Sequence, residues 1–498
     1  MDDGKVCKLA DLGLRAQGGR EADITGLSVD SRDVKPGHLF AALPGSRAHG
    51  AEFVPYALRM GAGAVLTDPA GMILMREELK SHGCPVVIAD DPRQVLAHTA
   101  ALWFGPGPET VVAVTGTNGK TSVASFARQI WTALDLAAVN LGTTGVEGAW
   151  THPLAHTTPE PITLHRVMAR ARAEGITHCA MEASSHGLDQ GRLDGVMVAA
   201  AGFTNFTQDH LDYHETFHAY FEAKMGLFDR VLPPDAVAVV NLDDPRGGEV
   251  AQRAAARGQE VIGIARYAEG DARLRLIGQR FDATGQDIRF DWQGGAHQVR
   301  LDLVGGFQAM NVLVAAGLVI GAGEPAEEVF RVLPQLRTVR GRMELAATRD
   351  NGAAVFVDYA HTPDAVATAL RALRPHVMGR IVAIVGAGGD RDRAKRPLMG
   401  AAAAEHADTV IVTDDNPRGE DPATIRAAVM KGAGADATEV GDRAEAILRG
   451  IDGLGVGDAL LICGKGHETG QIVGDRILPF DDVEQASVAS AALDGRIA

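Results

Sequence analysis

The sequence predicts an α/β protein of three domains, and two observations support this fold class. Short apolar runs of the kind found in buried strands alternate with helical stretches, a pattern typical of βαβ units and mainly parallel sheets. The chain has 498 residues, whereas one domain usually contains roughly 100–200. Gly- or Pro-containing stretches at 105–108 and 334–341 interrupt the pattern. We therefore expect domains at 1–108, 109–338 and 339–498.

The overall charge and the cysteine usage limit the classes of function. The net charge is −16 and the pI is near 5.5, so the chain lacks the basic field that holds nucleic acid or anionic lipid. Its 4 cysteines lie far apart without a CxxC pair, which suits a reducing compartment. The sequence shows no signal peptide and no apolar run of membrane-spanning length. We expect a cytoplasmic monomer that binds small molecules, not nucleic acid or membrane.

The first domain is predicted to be a small α/β unit. Strand-like runs occupy 38–43, 64–67 and 85–88, and a helix is predicted over 53–60. Two polar clusters, Asp30-Ser31-Arg32 and the turn at 45–50, could bind a charged ligand. Taken alone, however, they are ordinary turns.

Residues 111–122, VVAVTGTNGKTS, predict a buried strand, a phosphate-binding loop and the start of a helix. Gly116 and Gly119 let backbone N–H groups approach an anion, and the helix offers its positive N-terminus to the same anion. Lys120 would neutralise the β- and γ-phosphates, and the Thr121 hydroxyl would coordinate Mg²⁺. The loop is a shortened variant, because Val114 stands where the generic motif has glycine.

This loop indicates a central domain with a P-loop ATPase-type parallel sheet, although a Gly-rich turn that binds nothing remains the alternative. A helix over 161–174 and a strand over 177–182 follow. Glu182 ends that strand, and ligands of parallel sheets bind at the carboxyl ends of the strands. We therefore expect Glu182 to face the same crevice as Thr121. Further strands are predicted at 272–277 and 287–292, and a helix at 311–320.

Three histidines, His210, His214 and His218, are spaced so that a helix would place them on one face. A zinc site is one interpretation. Interleaved Asp209 and Asp212, and the phosphate loop upstream, favour one histidine beside Mg²⁺ instead. Helix capping and surface polarity are the remaining alternative.

The third domain repeats the strand–helix alternation. Four continuous apolar runs at 354–358, 381–385, 409–413 and 459–463 are typical of strands buried on both faces. A charged or Gly-rich loop follows each run, and the loops read YAHTPD, GGDRDR, DDNPR and GKGHE. Because the carboxyl ends of parallel strands meet at one edge, these loops predict one crevice.

Several motifs, in order and spacing, resemble those of the Mur ligases of peptidoglycan synthesis. They are TGTNGKTS, MEASSHGLDQGRL, TNFTQDHLDYH, YFEAK, VDYAHTPDA, GAGGDRDRAKRPLMG, DDNPRGED and GKGHE. The resemblance covers essentially the whole chain. It implies an N-terminal domain that holds uridine diphosphate, a central ATPase domain, and a C-terminal Rossmann-like domain that brings the amino acid and closes over the nucleotide.

The resemblance also implies roles for individual residues. The UDP-muramoyl-dipeptide would be held by Val29, Ser31, Ser46, Arg47, Ala48, Thr157, Thr158, Ser184, Gln190 and Arg192. ATP would be bound by Gly116, Thr117, Asn118, Gly119, Lys120, Thr121, Ser122, Asn311, Arg342 and Asp358. Relatives read Phe-Asn where this chain reads Phe307-Gln308, so only Asn311 is carried over from that helix. The amino acid would be bound by Arg391, Asp415, Asn416, Pro417, Arg418, Gly464 and Glu468.

Lys120, Glu182, His210 and Lys224 would be catalytic by the same resemblance. Thr121 and Glu182 would coordinate one Mg²⁺, and His210 and Lys224 a second. A bare ammonium cannot ligate a cation, so this role requires that Lys224 be carbamylated; a salt-bridging helix lysine is the alternative.

The implied reaction is ATP-dependent addition of meso-2,6-diaminopimelate to UDP-N-acetylmuramoyl-L-alanyl-D-glutamate through an acyl phosphate. Diaminopimelate differs from lysine by a distal carboxylate, which the guanidinium of Arg418 can bind bidentately. Glu468 can pair with the distal ammonium. The alternatives are a ligase of the same fold that adds L-lysine or another amino acid, a folylpolyglutamate-type ligase, and a non-enzymatic nucleotide-dependent switch, which would not explain the loops of the third domain.

Overall fold

Three helix-flanked sheets follow one another along the chain in the computed structural model. It describes residues 4–45, 48–207, 213–268, 270 and 272–496. Within this described part, every helix is too short or too polar to cross a membrane.

The first sheet is parallel and has four strands in chain order. A short antiparallel pair, β1 (Cys7–Lys8) and β2 (Asp23–Ile24), precedes it. The sheet strands are β3 (Gly26–Ser28), β4 (His38–Ala41), β5 (Ala64–Thr67) and β6 (Val86–Ile88). The helices are α1 (Val54–Arg59), α2 (Pro69–Leu74), α3 (Arg76–His82) and α4 (Pro92–Phe104). Apolar side chains of the strands pack against helices on both faces.

The central sheet is built mainly from parallel strands. Its strands are β7 (Thr110–Thr115), β8 (Ala138–Gly142), β9 (Gly145–Gly148), β10 (His178–Glu182), β11 (Ala200–Phe203), β12 (Val237–Asn241), β13 (Glu260–Ala265), β14 (Leu274–Asp282), β15 (Gly285–Trp292) and β16 (Gly295–Leu301). Their spatial order is β16-β15-β14-β13-β12-β11-β7-β10-β8-β9. The strand that precedes the phosphate loop, β7, lies between β10 and β11, so the loop opens near the middle of the sheet edge.

Helices cover both faces of the central sheet. They are α5 (Lys120–Ala133), α6 (Pro161–Ala173), α7 (Ser185–Asp189), α8 (Phe217–Gly226), α9 (Gly247–Ala256), α10 (Phe307–Gly321) and α11 (Ala326–Val332). A π-helical turn, Leu227–Val231, continues α8. Apolar residues occur all round α10, and the helix is buried along most of its length beside α5. It therefore holds Asn311 rigidly against the phosphate loop.

The third sheet has the order β17-β18-β22-β19-β20-β21, parallel except for β17. Its strands are β17 (Glu344–Thr348), β18 (Ala354–Asp358), β19 (Ile381–Val385), β20 (Thr409–Val412), β21 (Thr438–Glu439) and β22 (Ala459–Cys463), and a separate hairpin comprises β23 (Gly470–Val473) and β24 (Arg476–Pro479). Its helices are α12 (Pro363–Leu373), α13 (Lys395–His406), α14 (Pro422–Ala433), α15 (Arg443–Asp452) and α16 (Asp482–Leu493).

The predicted strands of the third domain are confirmed to within one residue, and β18, β22, β19 and β20 are neighbours, as one shared crevice requires. Strand β16 and the β23–β24 hairpin were not predicted, because their side chains are largely exposed and carry little apolar periodicity. The helical arrangement considered for the histidines is wrong for His214, since α8 begins at Phe217 with Thr216 as its cap.

Candidate active site

The loop at 116–119 has the main-chain geometry of an anion cradle. Gly116 has φ +146° and Gly119 has φ +89°, in the region that favours glycine. A Cβ at position 116 would collide with the Thr204 hydroxyl, and one at position 119 would lie 2.7 Å from Asn311 Oδ1. The loop then enters α5 directly, so the helix N-terminus faces the cradle.

A second segment, following β11, holds the cradle from behind. The Thr117 amide donates to the Asn205 carbonyl at 2.8 Å, and the Asn118 amide donates to Asn205 Oδ1 at 2.8 Å. The Thr204 hydroxyl donates to the Asn118 carbonyl at 2.6 Å. Lys120 Nζ lies 2.9 Å from the carbonyl oxygens of Gly116 and Thr117. A cation is thus folded back over the loop where phosphate oxygens would lie.

Thr121 and Glu182 contact each other, as we expect of two residues that face one crevice. Thr121 Oγ1 donates to Glu182 Oε2 at 3.0 Å, and both side chains are buried. The Thr143 amide donates to Glu182 Oε1 at 2.8 Å, and the Thr143 hydroxyl to Oε2 at 3.2 Å. Three donors from two segments fix this carboxylate, and hard oxygen ligands of this kind suit Mg²⁺.

Lys224 enters the same site from α8. It is 1 % exposed, its Nζ donates to the Gly116 carbonyl at 2.7 Å, and it lies 4.4 Å from the centre of the Tyr220 ring. In this unmodified state its nitrogen is a hydrogen-bond donor rather than a metal ligand. His210, the proposed companion ligand, lies outside the described residues. Among the described residues there is no cluster of three or more His, Cys, Asp or Glu side chains that could hold a metal.

The third domain reaches across to the phosphate loop. Arg342 Nη2 donates to Thr121 Oγ1 at 3.2 Å, and its guanidinium carbon lies 4.6 Å from the centre of the Tyr359 ring. Asp358 accepts from the Met343 amide at 2.7 Å and from the Ala360 amide at 2.9 Å. Burial raises the pKa of Asp358, and nearby Arg342 opposes that shift. These contacts place Arg342 and Asp358 where the two domains meet.

Two adjoining cavities occupy the space between the central and third domains. The first has a volume of about 710 Å³ and is lined by the phosphate loop, Glu182, Lys224, Asn311, Arg342 and Asp358. The second has a volume of about 1100 Å³ and is lined by Arg391, Asp415, Asn416, Arg418, Gly464 and Glu468, with Pro417 buried beside it. His186, Tyr359, His361, Thr362 and Arg391 line both. The two cavities thus form one continuous crevice with a phosphate-binding end and an end that carries opposite charges.

The backbone and the guanidinium of Arg418 are both held in place at the second cavity. Its φ is +52°, and its Nη1 donates to the Gly389 carbonyl at 2.9 Å. Its amide donates to the Ile472 carbonyl at 3.0 Å, and its carbonyl accepts from the Gly474 amide at 2.8 Å. The hairpin β23–β24 therefore holds the backbone that aims this guanidinium.

The residues expected to hold the UDP-linked substrate divide into two groups. Thr157, Thr158, Ser184 and Arg192 line the first cavity, and Gln190 bonds to Arg192 at 2.7 Å beside them. Val29, Ser31 and Ala48 follow the carboxyl ends of β3 and β4 in the first domain and do not belong to the described lining of either cavity. Ser46 and Arg47 lie outside the described residues.

Some positions that contact the expected site residues received no role from the sequence, whether they stand inside the quoted motifs or, like Thr143, outside them. Thr143, Tyr359 and Lys465 are examples: Thr143 holds Glu182, Tyr359 stacks with Arg342, and Lys465 lies beneath Asn416. Their contacts join segments far apart in the chain, and no local spacing reports such contacts.

Family models match each part of the chain. The Mur ligase middle domain matches residues 114–319, the Mur ligase glutamate ligase domain matches 341–466, and the Mur ligase family catalytic domain matches 23–104.

Relatives agree with these matches over almost the full length. The UDP-N-acetylmuramoyl-L-alanyl-D-glutamate--2,6-diaminopimelate ligase of Bradyrhizobium diazoefficiens is 49 % identical, over 96 % of each chain. The enzyme of the same name from Caulobacter vibrioides is 47 % identical, over 95 % of this chain and 96 % of its own. A solved structure bearing that name superimposes with a TM-score of 0.70 at 32 % identity, covering 98 % of this chain and 99 % of the other. The chain therefore belongs to the Mur ligase family.

Proposed function

We propose that this chain is an ATP-dependent ligase that joins meso-2,6-diaminopimelate to UDP-N-acetylmuramoyl-L-alanyl-D-glutamate in the synthesis of peptidoglycan precursor. The observation that carries the proposal is the shared crevice: a phosphate cradle at one end and the Arg418–Glu468 pocket at the other. The names of the relatives described above agree with this reaction.

The first step transfers the γ-phosphate of ATP to the side-chain carboxylate of the substrate glutamate. Lys120, beside the loop carbonyls, offsets the charge of two approaching anions. Arg342 adds a second cation from the third domain at Thr121. The substrate carboxylate would lie near Thr157, Thr158 and Arg192, which line the same cavity. Holding the γ-phosphate and the substrate carboxylate in line for the reaction supplies much of the rate enhancement.

Mg²⁺ would be held by Thr121 and Glu182, whose oxygens lie 3.0 Å apart with Glu182 further fixed by Thr143. A second site would use His210 and carbamylated Lys224. When bound, Mg²⁺ supplies positive charge at the transferring phosphoryl group. Asn311 and Asp358 would contact the rest of the nucleotide.

The second step is attack of an amine of diaminopimelate on the acyl phosphate, with release of phosphate. The third domain carries both Arg342 and the amino-acid pocket, so one rigid body would bring the amine and cover the nucleotide. Exclusion of water protects the acyl phosphate from hydrolysis.

Selection of the amino acid would depend on the far end of the second cavity. Arg418 would bind the distal carboxylate, and Glu468 the distal ammonium, with Arg391 and Asn416 as further contacts. Lysine would leave the Arg418 guanidinium without its anion, so selection works partly by rejecting the wrong amine.

We also propose that the chain acts as a cytoplasmic monomer without nucleic-acid or membrane partners, with domain limits at 1–108, 109–338 and 339–498. The acidic net charge and the free state of Cys7, Cys84, Cys179 and Cys463 support this proposal. The strand-free connections between α4 and β7 and between α11 and β17 support the domain limits.

The test is phosphate release from ATP and Mg²⁺ in the presence of the UDP-muramoyl-dipeptide, with mass detection of products. Reactions would contain meso-diaminopimelate, L-lysine or no amine. Phosphate release with a tripeptide product only in the diaminopimelate reaction is expected. Equal incorporation of lysine would overturn the specificity, and the absence of product with either amine would overturn the reaction.

A further inference from the structure

Lys465 is a buried cation directly behind the amino-acid pocket. It follows β22, its side chain is fully buried, and it is absent from the described lining of both cavities, whereas Gly464 and Glu468 line the second one. Its Nζ lies 2.9 Å from Asn416 Oδ1 and 2.8 Å from the Gly470 carbonyl. A lysine so placed does not touch substrate and must act through its neighbours.

Lys465 and the Ile472 amide together decide which way the Asn416 side-chain amide points. The ammonium and the Ile472 amide both reach the same Asn416 atom, each at 2.9 Å, and both groups are donors only. That atom must therefore be the carbonyl oxygen. The Asn416 NH₂ group is left to face Glu468, to which it donates at 2.8 Å.

Lys465 also lies between two carboxylates. Its Nζ is 3.7 Å from Asp415 Oδ1 and 3.8 Å from Glu468 Oε2. Burial raises the pKa of Glu468; the Asn416 hydrogen bond lowers it, Asp415 raises it, and Lys465 and Arg418 lower it. Removal of the ammonium would leave Asp415 and Glu468 to repel each other, which favours a protonated, uncharged Glu468.

The other charges around Lys465 do not replace its ammonium. Burial lowers the pKa of Lys465, and Asp415 opposes this shift; Arg443, Glu468 and Asp482 contribute less. Arg443 is committed to Asp482, with which it forms two buried hydrogen bonds of 2.7 and 2.6 Å. The Tyr359 phenol and Arg418 face Glu468 from the cavity side.

We propose that Lys465 is a positioning residue for amino-acid selection: it fixes the Asn416 amide and keeps the Glu468 carboxylate charged, ready for the distal ammonium of the amine substrate. This inference rests on the proposed function and names a determinant of its selectivity that makes no contact with the substrate. Under this proposal Asn416 and Glu468 touch the amino acid, whereas Lys465 sets the orientation of Asn416 and the charge of Glu468.

The test compares Lys465→Met with Lys431→Met, the same change at an exposed position of α14. Steady-state kinetics would give KM for diaminopimelate and for ATP from pH 6 to pH 9, beside thermal melting of each variant. For Lys465→Met we expect the KM for diaminopimelate to rise at least about tenfold, as for loss of a charged hydrogen bond, while the KM for ATP changes less than about twofold. The pH below which the KM for diaminopimelate rises should move upward, because Glu468 is now protonated more readily.

A double-mutant cycle with Glu468→Gln tests the route of the effect. If Lys465 acts through Glu468, the double variant should be little worse than Glu468→Gln alone, so the two changes are non-additive. An equal loss of kcat/KM for both substrates with an unshifted pH profile, or full additivity in the cycle, would overturn the inference. The wild-type protein is the separate check on the proposed function: if it makes no tripeptide, the reaction itself is wrong, whatever the variants do.

Discussion

The two ends of the crevice are built from different kinds of chemical group: main-chain groups at the nucleotide end and charged side chains at the amino-acid end. At the nucleotide end, the cradle is formed by main-chain groups of 116–119 held by other main-chain groups and by short side chains such as Thr204. At the amino-acid end, the pocket is formed by long charged side chains whose positions depend on one another, with buried Lys465 beneath Asn416 and Glu468. In the proposed reaction, one end would therefore bind a phosphate shape common to all nucleoside triphosphates, and the other would bind a particular pattern of charge.

This difference explains how far each end could be predicted from the sequence. A main-chain cradle needs glycines and a helix start at fixed spacing, so TGTNGKTS identified it without any relative, and Glu182 followed from its place at the end of β10. A side-chain pocket draws on loops after four different strands, and only the resemblance assigned Arg418 and Glu468 their partners. The role of Lys465 needed the three-dimensional contacts, because no spacing in the chain shows which amide an ammonium orients.

The strands also differ in how well the sequence predicted them. Strands buried on both faces, such as Ile381–Val385 and Ala459–Cys463, were predicted at their observed limits because continuous apolar runs mark them. The exposed strands Gly295–Leu301 and Arg476–Pro479 have no such mark and were missed, and the buried strand Ala200–Phe203 was missed as well because its apolar run is short and made mostly of small residues. The described residues of the two polar clusters in the first domain do not belong to the described lining of either cavity, so their role stays a prediction.

The largest effect is expected at the nucleotide end for Lys120→Met. Loss of the cation over the loop should lower kcat by about 10²–10³-fold, because the charge of the transferring phosphate is no longer offset. Phosphate-release kinetics would measure this, with Lys431→Met as the matched exposed control. A loss below about tenfold would mean that the main-chain cradle suffices without its lysine.

At the amino-acid end, Arg418→Ala should lower kcat/KM for diaminopimelate by about 10²-fold, since a buried anion would lose its bidentate partner. The KM for ATP should stay within about twofold of the wild-type value. Competition between diaminopimelate and lysine, followed by mass detection, measures the change in selectivity, and Arg371→Ala on the exposed face of α12 is the control. Unchanged use of diaminopimelate would contradict the role given to this guanidinium.

A histidine of the third domain, outside the described lining of both cavities, bonds to the central domain. His376 Nε2 accepts from the Gly305 amide at 3.0 Å, just before α10, and His376 Nδ1 donates to the Asp282 carbonyl at 2.6 Å. His376→Phe should lower the free energy of unfolding by about 2 kcal/mol, because the buried Gly305 amide and the part-buried Asp282 carbonyl lose their partner. Denaturant unfolding measures this; a loss below about 0.5 kcal/mol would show that the domains do not depend on these bonds.

The same variant should alter the pH dependence of stability. Burial lowers the pKa of His376, opposed by its bond to Asp282 and by the Asp282 charge, while Arg300 lowers it further. The unfolded chain has a histidine pKa of about 6.5, so below that pH the unfolded state binds the proton more readily and the folded state loses stability. Comparing unfolding at pH 7.5 and 5.5, we expect a smaller acid-induced loss in His376→Phe than in the wild type.

The smallest effect is expected for Thr143→Val. The variant loses one hydroxyl bond to Glu182, but the Thr143 amide still donates to the same carboxylate. We expect kcat to fall about fivefold, in line with a net hydrogen bond of about 1 kcal/mol. A decrease of more than about 30-fold would show that side chains matter at the nucleotide end as much as they do at the amino-acid end.

The left-handed backbone of Arg418 has a consequence for how the amino-acid specificity of such a ligase can change during evolution. The hairpin β23–β24 brackets Arg418 with main-chain bonds on both sides, yet none of its residues belongs to the described lining of the cavities. Its exposed Ile477 and Leu478 are open to substitution. Because the main-chain bonds that hold Arg418 come from Ile472 and Gly474 of this hairpin segment, the direction of the guanidinium depends on residues outside both the DNPR sequence and the cavity lining.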